Sequence, residues 1–238
     1  MAFITKYKGQ HNAGAMSKAA VKYIVLHRTE GHIAGDLRVL QSGGGRSVSI
    51  HFLIGRDGKI YKMLPMSVGA NHAGYGHHGL AAKYGNANHH AYGIELSGMG
   101  NETYPTAQLK ALDTVVAYID KYLGRKVPIT THAAIDPDRK SDPRHFTWLD
   151  EYNKYRHYRK PVVAKPVAKP VVAVKAKPKV VTYTTTTALN LRKAPISGKV
   201  IEVMPKGAKV KRVGSSILGW VKVSHGAHVG YARNKYLK

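Results

Sequence analysis

The chain has 238 residues, enough for one sizeable core and a smaller second module, and its 43% hydrophobic content suits a globular protein. A net charge of +25 selects for polyanionic partners: nucleic acid, anionic lipid or an acidic cell-wall polymer. The absence of cysteine excludes disulfides, thiolate metal sites and cysteine nucleophiles, so any metal must be held by His, Asp or Glu.

The opening MAFITKYKGQHNAG has no apolar core of signal-peptide length, and no run of about 18 apolar residues follows, so neither an export signal nor a membrane span is expected. YIVLH (23–27), SIHFLIG (49–55) and AYGIELSG (91–98) are short apolar runs that read as strands of a covered sheet. A helix is expected from Ile33 to Gln41, stopping at glycines 43–45. Arg56-Asp57-Gly58-Lys59 is a turn and KIYKML after it alternates, so 49–64 reads as a hairpin. The Gly/Asn-rich stretch 72–93, with His77, His78, His89 and His90, reads as a solvated cleft loop, with a second metal site as the alternative. Leu109, Leu112, Val116, Ile119 and Leu123 recur at 3, 4, 3, 4, one face of a helix over 106–123 with Gly124 as its stop. Asp136-Pro137-Asp138-Arg139 is turn chemistry. Strands alternate with helices, which predicts one α/β domain over 1–159.

Residues 1–159 carry 21 Lys+Arg against 12 Asp+Glu, net +9, whereas 160–238 carry 17 against 1, net +16. The break falls at KPVVAKPVAKPVVAVKAKPKVV, 160–181, where recurring Pro opposes helix and spaced Lys opposes burial. This reads as a stiff extended linker, reaching about 60 Å at about 3.1 Å per residue. From 182 to 238, five short segments separated by Gly, Pro or Ser have an all-β rhythm of a size that suits a small barrel.

His27 ends the first strand, where α/β folds place their chemistry. His132 and Asp142 lie on one short loop with Lys140 between them. Two imidazoles and one carboxylate are the right types and number for a catalytic Zn²⁺ whose fourth position is left to water, although the set also suits Fe(II).

IVLHRTEG, SIHFLIGRDGKIYKMLP, NHAG, YGIELSG and THAAIDPDRKSDP, in that order over about residues 20–148, resemble the zinc-dependent N-acetylmuramoyl-L-alanine amidases, a family that includes peptidoglycan recognition proteins and many phage endolysins. The resemblance implies a mixed central sheet flanked by helices. It implies His27, His132 and Asp142 as zinc ligands, Lys140 as the oxyanion's partner, Glu95 as the base and His72 as a substrate-facing residue of the cleft. Ile50 departs from a branch that carries a catalytic tyrosine there, and Asn71 stands where an aromatic is common. The carboxy-terminal blocks ALNLRKAP, KVIEVMPKGAKVKRV, GWVKV and GYARNKYLK resemble bacterial SH3-type wall-binding domains, which implies peptidoglycan binding, with Trp220, Tyr231 and Tyr236 as the aromatics to test.

Taken together, these expectations describe a phage endolysin held in the host cytoplasm until lysis. Its partners would be peptidoglycan and anionic wall polymers, with no specific nucleic acid. Glu95 is the single non-ligand carboxylate expected in the cleft, so a glycosidase pair is missing. The bland alternatives are a buried structural His51, a Lys140 paired only with Asp138 or Asp142, a Glu95 salt bridge, and a Trp220 that is merely barrel core. The rival functions are a non-catalytic wall-recognition protein on the same fold and a basic nucleic-acid binder.

Overall fold

The structure, a computed structural model, describes residues 2–146, 149–150, 152–153, 181–196 and 198–238. The chain divides into two compact units after Asn153. The expected linker, 160–181, lies outside the described residues except for Val181.

The first unit is built on Tyr23–Arg28, wholly buried, as its continuous apolar run requires of a strand covered on both faces. In chain order the strands are β1 (Phe3–Ile4), β2 (Tyr23–Arg28), β3 (Phe52–Ile54), β4 (Ile60–Lys62), β5 (Ala91–Leu96) and β6 (Ile129–Thr131). They form one mixed sheet in the order β1-β4-β3-β5-β2-β6. The β3–β4 hairpin is antiparallel, and every other pairing is parallel. The expected strand 49–55 shrinks to Phe52–Ile54 because the side chain of His51 takes over a ladder position. Its Nδ1 accepts the Gly93 N–H at 3.1 Å, and its Nε2 donates to the Val68 carbonyl at 3.0 Å. His51 is therefore a buried structural histidine, driven down to about 4 chiefly by burial.

Among the described residues, the helices with defined bounds are α1 (Ile33–Ser42), α2 (Gly79–Tyr84), α3 (Ala87–His90), α4 (Thr106–Leu123) and α5 (His132–Ile135), and Leu149, Asp150, Tyr152 and Asn153 are helical too. α1 ends where Gly43 turns left-handed at φ 80°, and α4 where Gly124 does so at φ 70°. α4 buries Leu109, Leu112, Val116, Ile119 and Leu123, the face its period predicts, and packs Tyr118 on Phe52 with ring centroids 6.0 Å apart. On the opposite face, α1 buries Leu37 and Leu40 against Ile50, Leu53, Tyr61 and Met63. Beside them Tyr23, Val25 and Ala91 pack with Ala81, Ala87 and Ile135 of the three short helices. Two of those helices, α2 and α3, lie in the stretch expected to be a loop.

The second unit is all-β: β7 (Thr182–Thr184), β8 (Leu189–Arg192), β9 (Val200–Met204), β10 (Lys209–Ile217), β11 (Trp220–His225) and β12 (His228–Arg233), followed by a 3₁₀ turn, Asn234–Tyr236. The sheet order is β7-β10-β11-β12-β8-β9, antiparallel at each pairing. One core gathers Leu189, Leu191, Met204, Val210, Val221, Val223, Ala232 and Leu237 from both ends of that order, so the sheet curls onto itself. Six strands stand where five segments were expected; the threonine-rich β7 has no apolar alternation to announce it.

Gly93 of β5 faces α1 and the short helices. A Cβ there would lie 2.4 Å from Ile50 Cδ1 and 2.8 Å from the ring of His72. Gly93→Ala should cost about 1–3 kcal/mol by overpacking, read as a lower urea midpoint with an unchanged slope.

Candidate metal centre

The parallel pairing of β2 with β5 places His27 directly beside Glu95, and the pairing of β2 with β6 brings Thr131 beside Leu26. His132 follows Thr131 at once and opens α5, whose N-terminus is capped by Thr131 Oγ1 accepting from Ala134 N at 3.1 Å. Asp142 returns to the same point because its carbonyl accepts from Ala133 N at 2.8 Å and its carboxylate from Arg28 N at 3.3 Å. Between them the turn is closed by Lys140 N donating to Asp136 O at 2.9 Å, with Arg139 paired to the buried Asp136 carboxylate.

Three donors converge. His27 Nδ1 and His132 Nδ1 are 3.0 Å apart, and they lie 3.6 Å and 3.4 Å from Asp142 Oδ2 and Oδ1 respectively. A tetrahedral ion with bonds of about 2.0–2.2 Å needs its ligand atoms about 3.3–3.6 Å apart, so the donor set fits zinc. Among the described residues this is the one group of three His, Asp or Glu side chains with that convergence. With Nδ1 of His27 turned to the triad, its Nε2 faces His72 Nδ1 at 2.9 Å, and that contact orients the ring. Burial lowers the His27 pKa to about 4 even though Asp142 raises it, leaving the neutral imidazole that ligation requires. His72 is pushed well below the ordinary range by burial and by its three histidine neighbours. Burial pushes Asp142 up, but the imidazoles of His132 and His27 facing it outweigh that and hold the carboxyl well below the usual carboxylate range.

Glu95 is raised well above a normal glutamate, first by burial and then by the charges of Asp142 and Asp36. Its Oε2 is sealed from solvent without a hydrogen-bond partner. Among the described residues it makes no ion pair, and an uncompensated carboxyl in that position is costly unless it is used. The site lies in a cleft of about 580 Å³ that is also lined by Lys140, His72 and Asn71. Lys140 is exposed and, among the described residues, makes no ion pair with Asp138 or Asp142; Asp138 faces His78 instead, at 3.4 Å.

The expectation that Glu95 would be the sole non-ligand carboxylate in the cleft is corrected. Glu30 and Asp36 line it too. Glu30 accepts from the Gly100 N–H, and Asp36 is committed to two hydroxyls, so neither is free to serve as a second catalytic acid. Sequence reading also passed over Arg46, Arg139 and Arg144 at the cleft. Asp36 did leave a signal: an acid three residues past Ile33 and four before Leu40, inside the apolar stripe of α1. The second-metal alternative gains no support, since His78 faces Asp138 and His90 Nδ1 contacts the Ala20 carbonyl at 3.2 Å.

In the second unit, Trp220 and Tyr236 line a cavity of about 570 Å³ together with Thr186, Asn190, Arg192 and Arg233. Arg233 lies over the Trp220 ring, 5.2 Å from its centroid. Tyr231 is not part of that cavity; it is buried on its strand, with Lys222 6.0 Å over its ring.

A model of the N-acetylmuramoyl-L-alanine amidase family matches residues 17–145, and one of the bacterial SH3 domain matches 187–238. The 1,6-anhydro-N-acetylmuramyl-L-alanine amidase AmpD of Escherichia coli is 39% identical over 97 residues, 40% of this chain and 51% of that protein. AmpD of Salmonella typhimurium is 37% identical over 97 residues, 40% of this chain and 50% of that protein. The chain thus spans about half the length of the curated relatives it matches. The structure of the N-acetylmuramyl-L-alanine amidase AmiD from E. coli, in complex with an anhydro-N-acetylmuramic acid peptide, is 23% identical with a TM-score of 0.48, covering 64% of this chain and 68% of that one. With more than half its length matched by the family model, the chain belongs to the N-acetylmuramoyl-L-alanine amidase family and carries a bacterial SH3 domain behind the amidase unit.

Proposed function

We propose that the protein is a zinc-dependent peptidoglycan hydrolase of the endolysin type, cutting the amide between the lactyl group of N-acetylmuramic acid and L-alanine. The observation that carries this reading is the convergence of His27, His132 and Asp142 on one point, with Glu95 beside His27 in the same cleft. A zinc ion held by those three side chains would polarise the scissile carbonyl and lower the pKa of bound water toward about 7. Glu95 takes the proton of the attacking water and returns it to the departing amine; its raised proton affinity suits a group that must serve as base and then as acid. Lys140 brings positive charge to the oxyanion as it develops. His72 holds the His27 ring and faces the substrate. The SH3 unit holds the enzyme on the wall through the Trp220–Tyr236 cavity, and the net charge of +25 favours anionic wall polymers. On this reading the enzyme is kept from its substrate in the host cytoplasm and reaches the wall at lysis.

Digestion of purified peptidoglycan should release new amino-terminal alanine and no new reducing sugar, stop with a chelator and resume with zinc. Reducing ends appearing in step with lysis, or amino termini other than alanine, would assign another bond. Salt-sensitive DNA binding without any cutting would favour the nucleic-acid reading.

Ala at His27, His132 or Asp142 should remove both metal and activity. Glu95→Gln and Lys140→Ala should keep zinc and lose at least about 100-fold in turnover. Atomic emission beside a turnover assay checks both sets; full zinc in all three ligand variants would defeat the assignment.

A fluorescent fusion of 182–238 should co-sediment with susceptible walls at physiological salt. Binding confined to low salt would reduce the module's role to charge alone.

A further inference from the structure

Thr29 and Ser97 each stand two residues beyond a residue of the site, Thr29 past His27 on β2 and Ser97 past Glu95 on β5. Because β2 and β5 pair in register, and side chains alternate, all four residues share the sheet face that α1 covers. Both hydroxyls end on one atom. Thr29 Oγ1 donates to Asp36 Oδ2 at 3.0 Å, and Ser97 Oγ donates to the same oxygen at 2.6 Å. Asp36 is 7% exposed. Its other oxygen lies against Gly31, where a Cβ would fall 2.3 Å from it, so the carboxylate is lodged against backbone. From the opposite face, α4 secures the same strand end, with Gln108 Nε2 donating to Ser97 O at 2.8 Å and to Ile54 O at 2.9 Å.

We propose that Asp36 is a positioning residue for the reaction: a carboxylate clamp that fixes the ends of β2 and β5 and so sets the separation of the metal ligand His27 from the base Glu95. The inference rests on the roles proposed above for those two residues. A carboxylate suits the task because one charged oxygen accepts two short hydrogen bonds, which neutral acceptors form more weakly. Without it two hydroxyl protons lose their acceptor near the cleft, and the strand ends are free to part. A displacement of about 1 Å in a reacting constellation costs on the order of 100-fold in rate.

The test uses the full-length, zinc-loaded protein and release of amino-terminal alanine from solubilised peptidoglycan. Asp36→Ala and Ser97→Ala should each lower kcat by about 10- to 100-fold with KM and zinc content unchanged. Asp36→Asn, which keeps an acceptor oxygen, should recover most of the loss. The double variant should fall no further than Asp36→Ala alone, because both changes open the same clamp. Tyr152→Phe, which removes a 2.6 Å hydrogen bond to Asp113 in the same unit, should lower Tm without lowering kcat. Unchanged kcat in Asp36→Ala, additive losses in the double variant, or an equal kcat loss in Tyr152→Phe at matched Tm would overturn the clamp. A raised KM confined to Asp36→Ala, with Ser97→Ala silent, would make Asp36 a direct substrate contact instead. A wild type that releases no alanine overturns the amidase reading itself, and the clamp's role in catalysis falls with it.

Discussion

The pairing of β2 with β5 is the constraint on which the rest of the molecule depends. Six consecutive residues, Tyr23 to Arg28, run in parallel register against Ala91 to Leu96, and the fifth pair of that ladder is His27 with Glu95. A slip of one residue would turn either side chain to the face covered by α4, where an ionisable group would meet apolar packing. The neighbouring pairs, Tyr23 with Ala91 and Val25 with Gly93, show why the register holds. They are buried on the same face, and Gly93 leaves the space that Ile50 and His72 occupy. Core packing thus fixes the register, and the register brings together side chains that come from distant parts of the sequence.

Burial gives the site its chemistry and also its cost. His27, His72 and His132 crowd together, and burial disfavours protonation of His27 and His72. The imidazoles of His132 and His27 facing it favour the ionised form of Asp142 in the same surroundings. Glu95 has neither compensation at Oε2, and its proton affinity rises accordingly. Two carboxyl groups in one cleft are thus driven in opposite directions by what surrounds them, which suits the separate roles of ligand and acid–base group proposed for them.

What could be read in advance follows from how local each determinant is. α4 runs from Thr106 to Leu123, as its spacing predicts, because period and glycine stop are both written in adjacent residues. β1, β6 and α5 are two to four residues long, too short for any period, and exist because neighbouring strands and the returning 132–142 loop complete them. The truncation of β3 turns on one side-chain hydrogen bond, His51 to Gly93, that no alternation pattern encodes. In the site, residue types and family motifs singled out His27, His132, Asp142 and Glu95, which the fold brings together in one cleft. Asp36 stayed hidden because its meaning requires Thr29 and Ser97, 68 positions apart, to meet at one oxygen.

The uneven charge of the chain has a structural counterpart in the second unit. Residues 160–238 contain a single acid, Glu202. It is held by two histidines at the ends of the β11–β12 hairpin, with His225 Nδ1 at 2.8 Å from one oxygen and His228 Nδ1 at 3.1 Å from the other. Those hydrogen bonds, that of His228 foremost, lower its pKa and keep the carboxylate ionised and engaged. The one negative group is therefore spent on fastening β9 to the hairpin, and the module's lysines and arginines meet no acid of their own unit. The first unit is different: its cleft sets Arg28, Arg46, Arg139, Lys140 and Arg144 against Glu30, Asp36, Glu95 and Asp142. Unopposed charge suits broad, salt-sensitive attraction to a polyanionic surface, whereas a cleft that mixes both signs suits orienting a single substrate bond.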